Sequence, residues 1–494
     1  MILFYNPRST SPGKQPLPLS IMALAAVVDG RESWGLVDGN VDPNPAATIV
    51  ERLREDGGRG GPPVLAVSVM PGPQLSEAVP VCARVRRALP HVHIVWGGYF
   101  PTQHTDTVLR SAFVDSVVRS QGEQPLLQLL EALRGERPMD TVGSLSWKQP
   151  DGRVVTNGAA PFTPLDELPA FPYHRVPMER YIHSTYLGRR TVAHNSSFGC
   201  PFACSFCAVV AMTQRRWLAQ SPARVEATLR TLQSDYRADS VQMHDMDFFI
   251  NEARVAEIAE RITPLGLSWW ALGRVDALMR YSDRTWETMA RSGLKMVFSG
   301  AETGSEATLA AMNKGGNASP ALTLELAARM KRYGIVPEFS FVLGMPPDGE
   351  RDALETFEFI RRIKAVNPAV EVILYTYTPT PGESALFETA TASGFAFPTT
   401  LEEWASEDWR RAMLRRGDLM PWMAGGLRAR VRNFERVLNA YYPTVTDRRL
   451  TPARRLLLRA ISAWRYAFRV YGAPYELQAL QRLMHYQRPE TTGF

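Results

Sequence analysis

One nine-residue stretch decides the fold of this chain: Gly199-Cys200-Pro201-Phe202-Ala203-Cys204-Ser205-Phe206-Cys207. Its cysteines follow the spacing C-x3-C-x2-C, and three thiolates at this spacing can wrap a single loop around an iron–sulfur cluster. A closed cluster of four irons takes four thiolates, but the fourth cysteine of the chain, Cys82, lies far upstream in a helical pattern. We therefore predict that Cys200, Cys204 and Cys207 hold a 4Fe–4S cluster and leave one iron open for a non-protein ligand.

A zinc site is the alternative interpretation of these cysteines, with His194 as the fourth ligand. Structural zinc sites usually combine a closely spaced cysteine pair with a second pair of ligands downstream, and the sequence has no second pair of cysteines. Phe206, directly before the last cysteine, is expected to place an aromatic ring beside the open iron. Cys82 is predicted to be a core thiol, because free cysteine is among the most buried residue types.

The motif, with its aromatic residue before the third cysteine, resembles that of the radical S-adenosylmethionine (radical SAM) enzymes. The resemblance implies that the methionine amine and carboxylate of S-adenosylmethionine occupy the open iron.

Length and composition set the frame for this site. A chain of 494 residues suggests about three domains, and no apolar run approaches the roughly 20 residues that span a bilayer. The N-terminus lacks the basic region of a signal peptide, and an oxygen-sensitive cluster favours the cytoplasm. The net charge of +6 is mild for this length, so it does not predict a nucleic-acid partner.

Residues 1–140 are predicted to form a doubly wound, Rossmann-like α/β domain. Short apolar runs alternate with helical patterns, as in a parallel sheet with crossover helices. The predicted strands are Met1–Asn6, Ser33–Val37, Val64–Met70, His93–Trp96 and Ser116–Arg119. Each strand ends in a polar or glycine-rich tip, and ligands bind at that edge of an open α/β sheet.

These tips resemble the cobalamin-binding domain that is fused to many radical SAM enzymes. The stretches concerned are Val67-Ser68-Val69-Met70, Trp96-Gly97-Gly98 and Arg119-Ser120-Gln121-Gly122-Glu123. With the tip of the second strand added, the candidate cobalamin-binding residues are Asp38, Ser68, Met70, Gly97, Gly98, Gly122 and Glu123. The motif D-x-H-x-x-G, whose histidine ligates cobalt in other cobalamin domains, is missing, so Ser68 and Met70 are the candidates for the lower face of the cofactor.

Residues 141–190 are predicted to be a connector, and residues 191–390 a partial, TIM-like (β/α)6 barrel. The connector contains a hairpin and a proline-rich linker. The barrel strands are predicted at Val192–Ser197, Ser240–His244, Leu267–Leu272, Lys295–Ser299, Glu338–Val342 and Val372–Tyr377. The active site of such a barrel lies at the carboxyl ends of its strands.

Polar residues at these strand ends suit S-adenosylmethionine. Arg274 could grip its carboxylate with two hydrogen bonds, Glu302 could accept from the ribose hydroxyls, and Asp245 could hold the amine. The sequences Glu302-Thr303-Gly304-Ser305-Glu306 and Met312-Asn313-Lys314-Gly315 resemble stretches common in the fused enzymes. Each acidic residue could instead be a helix N-cap. Asp247, Tyr375 and Tyr377 are the catalytic candidates. An apolar or aromatic substrate would suit Trp269, Trp270, Tyr375 and Tyr377, which could instead be core residues, the commoner place of aromatics in strands.

Residues 391–494 are predicted to be mostly helical. Across Thr451–Tyr471, one apolar stripe consists of Leu457, Ile461, Trp464, Phe468 and Tyr471. A basic amphipathic helix can lie on an anionic membrane, but a helix that packs its stripe on the barrel is the favoured interpretation.

The resemblance implies a cobalamin-dependent radical SAM enzyme, most simply a C-methyltransferase. Its cofactors would be a 4Fe–4S cluster, S-adenosylmethionine and cobalamin, and its partners a small-molecule or lipid-like substrate and an electron donor of flavodoxin or ferredoxin type. A 5′-deoxyadenosyl radical would abstract hydrogen from an unactivated carbon, which methylcobalamin would then methylate. The alternatives are an oxidative cyclase with the same cofactors and, outside the enzymes, a cobalamin or metal sensor.

Overall fold

The computed structural model describes residues 1–10, 13–55, 61–314, 318–382, 384–413, 420–423, 426–447 and 450–484. Its described part contains two large sheets, one of seven strands and one of six. The predicted order of a doubly wound domain, a partial barrel and a helical C-terminal region is confirmed.

The N-terminal sheet is parallel over its first five strands and has the order β2-β1-β3-β4-β5. These strands are β1 (Ile2–Asn6), β2 (Trp34–Asp38), β3 (Val64–Ser68), β4 (His93–Gly97) and β5 (Ser116–Val118). Every residue of β1 is buried, because helices cover both faces of a parallel sheet. The chain order reverses between β1 and β3, and this switch point is where doubly wound sheets bind ligands.

Six helices accompany this sheet within the described residues. They are α1 (Leu19–Val28), α2 (Pro45–Glu55), α3 (Pro73–Ala88), α4 (Tyr99–Gln103), α5 (Thr105–Arg110) and α6 (Glu123–Leu133). The two short helices α4 and α5 were not predicted, since five or six residues show too little periodicity. Cys82 is fully buried on α3, which confirms the predicted core thiol.

The hairpin that we predicted within the connector belongs to the N-terminal sheet. Its strands β6 (Leu145–Lys148) and β7 (Val154–Thr156) continue the sheet antiparallel beyond β5. The N-terminal unit therefore extends past the predicted boundary at residue 140, because β6 supplies the hydrogen-bond partners that the edge of β5 would otherwise lack.

The rest of the connector is a strap of short 3-10 turns between the two sheets. The Tyr181 hydroxyl donates to Asp38 Oδ2 in the N-terminal domain at 2.9 Å. The Tyr173 hydroxyl lies 2.9 Å from His194 Nδ1, at the end of the first barrel strand. One segment thus positions both domains.

The second sheet is parallel and has six strands, which confirms the predicted six β/α units. In spatial order they are β15 (Glu371–Thr376), β14 (Val336–Leu343), β13 (Leu294–Glu302), β12 (Ser268–Leu272), β11 (Ser240–Met243) and β8 (Thr191–His194). Its main outer helices are α8 (Pro222–Tyr236), α9 (Glu252–Ile262), α11 (Asp283–Arg291), α13 (Pro320–Arg332) and α14 (Gly349–Val366), with the shorter α10 (Val275–Met279) and α12 (Glu306–Ala311) after β12 and β13.

A short antiparallel pair brackets the cysteine loop. It consists of β9 (Ser197–Gly199) and β10 (Trp217–Ala219), with α7 (Val209–Thr213) between them. Gly199 has a φ of +91°, and a Cβ there would lie 2.1 Å from the Arg216 carbonyl oxygen. The residue before Cys200 must therefore be glycine.

The C-terminal helices extend the cores of both preceding domains. They are α15 (Ala385–Ala392), α16 (Leu401–Trp404), α17 (Glu407–Met413), α18 (Leu427–Tyr441), α19 (Pro452–Ala467) and α20 (Tyr475–Met484). Leu401 and Trp404 are buried in the N-terminal core, whereas Phe434 stacks on Phe357 of the barrel at 4.0 Å.

The favoured interpretation of α19 is wrong for most of its predicted stripe. Leu457, Trp464 and Phe468 are exposed, and the buried face of the helix instead includes Leu458 and Arg465. Arg465 is buried because it pairs with Glu476 on α20.

Within the described residues, no helix is both long enough and apolar enough to cross a membrane.

Candidate active site

The cysteine loop lies between β9 and α7, beyond the carboxyl end of β8. Cys204 is buried, and Cys200 and Cys207 are half-buried. The three thiols are electrostatic neighbours, since Cys204 and Cys207 both help to raise the pKa of Cys200. The structure therefore brings the three predicted ligands together.

A distant segment holds this loop in place. The Ser205 N–H donates to the Met312 carbonyl at 2.9 Å, and its hydroxyl donates to the Ala311 carbonyl at 3.1 Å. The Asn313 side-chain amide donates to the Ala203 carbonyl at 3.0 Å. Residues 311–314, at the C-terminal end of α12, are thus the main support of the loop.

The donor set of the loop fits an iron–sulfur cluster. The Phe202 N–H donates to Cys200 and the Val209 N–H to Cys207, and such hydrogen bonds to sulfur are characteristic of these clusters. Burial raises the pKa of Cys200 to about 12, so bound iron is what would hold it as a thiolate.

The arrangement does not suit the zinc alternative. Both ring nitrogens of His194 have other neighbours, Tyr173 Oη at 2.9 Å and Gln220 Oε1 at 3.4 Å. No three ligand side chains in the described part of the chain converge on a position for one metal ion. A cluster needs no such convergence, since each thiolate binds a different iron.

Arg274 lies against the cysteine loop. Its guanidinium donates two hydrogen bonds to Asp276, at 2.9 and 3.1 Å, and one to Cys204 Sγ at 3.2 Å. It also donates to the Lys314 carbonyl and lies 3.8 Å from the centre of the Phe202 ring. The predicted carboxylate-binding cation is therefore beside the cluster position, where Asp276 orients it.

Glu302 forms a buried ion pair with Lys314 at the end of β13. Both side chains are less than a tenth exposed, and the Lys314 ammonium lies 5.8 Å from the centre of the Phe206 ring. Lys314 was not predicted as a site residue. The signal for it was its place in the stretch Met312-Asn313-Lys314-Gly315, of which Gly315 lies outside the described residues.

The two aspartates after β11 have different surroundings. Asp245 accepts from the Ser196 N–H at 3.1 Å and from the Ser196 and Ser197 hydroxyls at 2.8 and 2.5 Å. Its carboxylate thereby holds the segment that leads into the cysteine loop. Ser196 also accepts from the Arg254 guanidinium at 2.9 Å.

Only one of the two carboxylate oxygens of Asp247 accepts a hydrogen bond from the described residues. Its Oδ1 accepts from the Phe249 N–H at 3.1 Å, but Oδ2 is buried without a partner among the described residues. Burial raises the pKa of Asp247 to about 7, and Cys200, Arg274 and Lys314 are all electrostatic neighbours of its carboxylate. An unpartnered buried oxygen at this position suits a cationic ligand group.

The two candidate tyrosines face different parts of the barrel. Tyr377 packs with Phe206 in one apolar cluster, and its hydroxyl is buried without a partner in the described part of the chain. Burial raises its pKa to about 12. Tyr375 is half-buried in β15, where its neighbours Val372 and Leu374 face the outer core. The alternation of a strand therefore directs Tyr375 into the barrel.

The predicted cobalamin residues lie at the carboxyl edge of the N-terminal sheet. Ser68 Oγ is 3.0 Å from Ser20 Oγ, and Met70 is exposed. Gly98 has a φ of +95°, and a Cβ there would lie 3.2 Å from Ser68 Oγ. Ser68, Met70 and the two glycines Gly97 and Gly98 thus lie together at the carboxyl ends of the neighbouring strands β3 and β4, next to the switch point.

The remaining predicted cobalamin residues have structural partners. Asp38 is buried and accepts from Asn6, Asn40 and Tyr181. Gly122 precedes α6, and Glu123 begins that helix, where burial raises the pKa of its carboxyl.

Each of the three histidines in the first 140 residues either has other contacts or lies away from the predicted cobalamin residues. His93 Nε2 lies 2.8 Å from Ser116 Oγ. His104 stacks on Phe100 at 4.8 Å and lies 4.7 Å from Trp404. His91 precedes β4, and therefore lies at the opposite edge of the sheet from the predicted cobalamin residues.

The carboxyl edge of the N-terminal sheet, which we call the cobalamin edge, contacts the segment that directly follows the cysteine loop. The Gln103 side chain donates to the Ala208 carbonyl at 3.3 Å, and the Ser120 hydroxyl donates to the Met212 carbonyl. Tyr99, directly after Gly98, is an electrostatic neighbour of Cys207, and its pKa is raised chiefly by burial. Tyr99 was not predicted from the sequence, although it follows the quoted Gly97-Gly98 tip.

Fold and site together define a two-domain arrangement in which a doubly wound ligand-binding domain faces a cysteine loop at the end of a partial barrel. Residues 194–360 match the radical SAM superfamily, and residues 9–130 match the B12 binding domain. The chain belongs to the radical SAM proteins that carry a cobalamin (B12) binding domain.

Relatives and solved structures agree with this assignment. An uncharacterized methyltransferase of Pyrococcus horikoshii is 25% identical over 396 residues, which cover 79% of this chain and 82% of the relative. An anaerobic magnesium-protoporphyrin IX monomethyl ester cyclase of Synechocystis sp. is 24% identical over 370 residues, covering 72% and 71%. The structure of TsrM from Kitasatospora setae, a radical S-adenosylmethionine methyltransferase with cobalamin and a 4Fe–4S cluster bound, shares the fold, with a TM-score of 0.63 at 16% identity over 79% of this chain and 75% of that chain.

Proposed function

We propose that this chain is a cobalamin-dependent radical SAM methyltransferase that methylates an unactivated carbon of a small molecule. The observation that carries the proposal is that hydrogen bonds join the two cofactor edges, from Gln103 to the Ala208 carbonyl and from Ser120 to the Met212 carbonyl. A methyl donor and a radical source bound at these edges would face each other. The methyltransferase relative supports this choice of reaction.

The bound cofactors supply the reactive groups: the cluster and S-adenosylmethionine the hydrogen-abstracting radical, and cobalamin the methyl group. The residues of the chain bind and orient them. Three irons would be held by Cys200, Cys204 and Cys207. The hydrogen bonds from residues 311–314 would keep the cysteine loop rigid. Phe206 would shield the open iron.

We assign the amine of S-adenosylmethionine to Asp247 rather than to Asp245. The oxygens of Asp245 already accept hydrogen bonds from Ser196 and Ser197, whereas Asp247 Oδ2 has no partner among the described residues. An ammonium group placed there would satisfy the buried carboxylate. Arg274 stays the candidate for the carboxylate, and Glu302 and Lys314 for the ribose hydroxyls.

Cobalamin would rest on the edge formed by Ser68, Met70, Gly97 and Gly98, without a histidine ligand to cobalt from below. The ring contacts of His104 with Phe100 and Trp404 and the hydrogen bond of His93 support this proposal. Electron paramagnetic resonance of the cobalt(II) form should then lack nitrogen splitting from a protein ligand.

The substrate would enter the barrel from the strand ends. Leu272 and Phe298 are half-buried and pack with Trp270 on the inner face of the sheet, and His244 lies 5.4 Å from the Trp270 ring. An apolar or aromatic small molecule fits such a lining. Trp269 is on the outer face, where its indole N–H donates a hydrogen bond to Ser292 Oγ at 3.1 Å.

We further propose a cytoplasmic location and a flavodoxin- or ferredoxin-type electron donor.

Isotope labelling tests the reaction. The reconstituted protein is supplied with S-adenosylmethionine that carries a deuterated methyl group, a reductant and a small-molecule extract of the host. We expect one 5′-deoxyadenosine and one S-adenosylhomocysteine per turnover, with the label in a product. The Cys200→Ala variant is the matched control and should form neither nucleoside.

The same assay separates the alternatives. A cyclase, as in the Synechocystis relative, would give 5′-deoxyadenosine without matching S-adenosylhomocysteine, and its product would be unlabelled. A sensor would cleave no S-adenosylmethionine. Either result would overturn the methyltransferase proposal.

A further inference from the structure

The outward face of α19 is apolar without interruption. A helical period of 3.6 residues places seven positions within an arc of roughly 120°, and all seven are exposed and uncharged. They are Ala453, Leu456, Leu457, Ala460, Trp464, Ala467 and, directly after the helix, Phe468. We call this surface the α19 face.

Large apolar side chains are concentrated here. Leu456 is 70% exposed, Trp464 48% and Phe468 77%. Of the ten large hydrophobic side chains that are exposed in the described part of the chain, seven lie between residues 456 and 483. Such a concentration, unlike scattered single residues, indicates an interaction surface.

The opposite side of α19 is anchored, so the helix cannot turn this face inward. Tyr466 stacks on Tyr441 of α18 at 4.4 Å, and the Tyr466 carbonyl accepts from Arg361 of the barrel at 2.5 Å. Buried Arg465 pairs with Glu476 of α20. Rotation would break this ion pair and bury a charged side chain without its partner.

Positive charge accompanies the apolar face. The last 50 residues contain nine arginines against three acidic residues, so they account for the whole net charge of +6 and the first 444 residues are balanced. Helix α19 has no acidic residue. Arg454 and Arg459 lie on either side of the apolar arc, and both are exposed.

We propose that the α19 face docks on the surface of an anionic lipid bilayer. Tryptophan, phenylalanine and leucine on one face, flanked by arginines, are the features of helices that lie in the plane of the membrane interface. Each flanking arginine adds attraction to anionic headgroups. A symmetric contact with a second copy would instead bring arginines of the same sign together, which disfavours that occupant.

Vesicle sedimentation of the full chain tests the proposal. One set of vesicles contains phosphatidylcholine alone, and the other contains added phosphatidylglycerol. We expect sedimentation with the anionic vesicles, weaker sedimentation in high salt, and little with phosphatidylcholine alone. The Arg454→Ala/Arg459→Ala double variant should bind the anionic vesicles more weakly than the wild type.

The double variant Trp464→Glu/Phe468→Glu should lower partitioning by about tenfold or more, since it places two charges in the apolar contact. Val154→Glu, on the exposed edge of the N-terminal sheet, is the matched control and should bind like the wild type. Circular dichroism would check that both variants are folded.

Two results would overturn the proposal. One is equal sedimentation with and without anionic lipid, and the other is a dimer in light scattering that Trp464→Glu/Phe468→Glu dissociates. Because the vesicle compositions are compared with the wild-type chain, a variant that fails to fold leaves the test intact. The assay measures no methyl transfer, so its outcome is independent of the proposed reaction.

Discussion

The contrast between Asp247 and Asp245 leads to a prediction about S-adenosylmethionine binding. Asp247→Asn keeps the shape of the side chain and the acceptor for the Phe249 N–H, but removes the negative charge at the unpartnered Oδ2. If this oxygen holds the amine, the variant should lose affinity for S-adenosylmethionine while it keeps its fold and its cluster.

The expected loss follows from the type of contact. A hydrogen bond to a charged group contributes about 1.5–3 kcal/mol, so Asp247→Asn should weaken binding by roughly 10- to 150-fold, at about 1.4 kcal/mol for each factor of ten.

The free energy of unfolding of the ligand-free chain should rise in the same variant. Burial raises the pKa of Asp247 to about 7, so the folded state holds this proton more tightly than the unfolded chain.

The free energy of unfolding therefore falls as pH rises from about 4 to 7, by at most about 4 kcal/mol for this group. Asp247→Asn has no such group to ionise, so the ligand-free variant at pH 8 should be at least as stable as the wild type. Urea unfolding of the ligand-free protein measures this difference.

Asp245→Asn is the matched control, because it makes the same change in a carboxylate whose hydrogen bonds are all internal. It should destabilise the chain by about 2–4 kcal/mol, since an amide cannot accept all the hydrogen bonds from Ser196 and Ser197. Equilibrium dialysis of S-adenosylmethionine against the reconstituted proteins gives the affinities. A dissociation constant for Asp247→Asn within twofold of the wild type would refute the assignment of the amine.

Three further predictions concern the cluster, the cobalamin edge and the response to pH. Alanine at Cys200, Cys204 or Cys207 should abolish the cluster, whereas Cys82→Ala should retain about four irons per chain; iron analysis and absorbance would decide, and loss of iron in Cys82→Ala would contradict the assignment. Gly98→Ala should cost about 1–3 kcal/mol, because φ is +95° and the new Cβ meets Ser68 Oγ at 3.2 Å; it should also weaken cobalamin binding in a filtration assay while the iron content is unchanged. Burial lowers the pKa of His104 to about 4, so the stability due to its neutral ring is complete above about pH 6.5 and declines as pH falls towards 4. The difference in urea midpoint between pH 7 and pH 5 should therefore be smaller in His104→Phe than in the wild type. An unchanged difference would exclude His104 as a source of acid sensitivity.

The sequence by itself determined the features that depend on local spacing and periodicity. Three cysteines within eight residues must lie on one loop, so Cys200, Cys204 and Cys207 could be proposed as the ligand set without a structure. Alternating apolar runs and helical patterns likewise predicted six barrel strands and the doubly wound domain, because each element buries its own apolar face. Gly98 also belongs here, since its place in a glycine-rich tip after a strand made it a candidate cobalamin residue.

Only the tertiary structure decided which of several similar polar residues remains available to a ligand. Asp245 and Asp247 lie two positions apart in one loop, and the difference between them comes from Ser196 and Ser197, about 50 residues earlier in the chain. Lys314 enters the site through contacts with Glu302 and Arg274 that no local pattern specifies.

The tertiary structure also decided which way the apolar stripe of α19 faces. Periodicity shows that a helix has an apolar face, but not whether another element covers it. Here Arg465 reaches Glu476 on α20 and Tyr466 stacks on Tyr441, so the polar and aromatic anchors take the inner side and leave Trp464 and Phe468 outside. Long-range pairing decides such cases, because the energy that orients a helix comes from the partners it meets after the chain has folded.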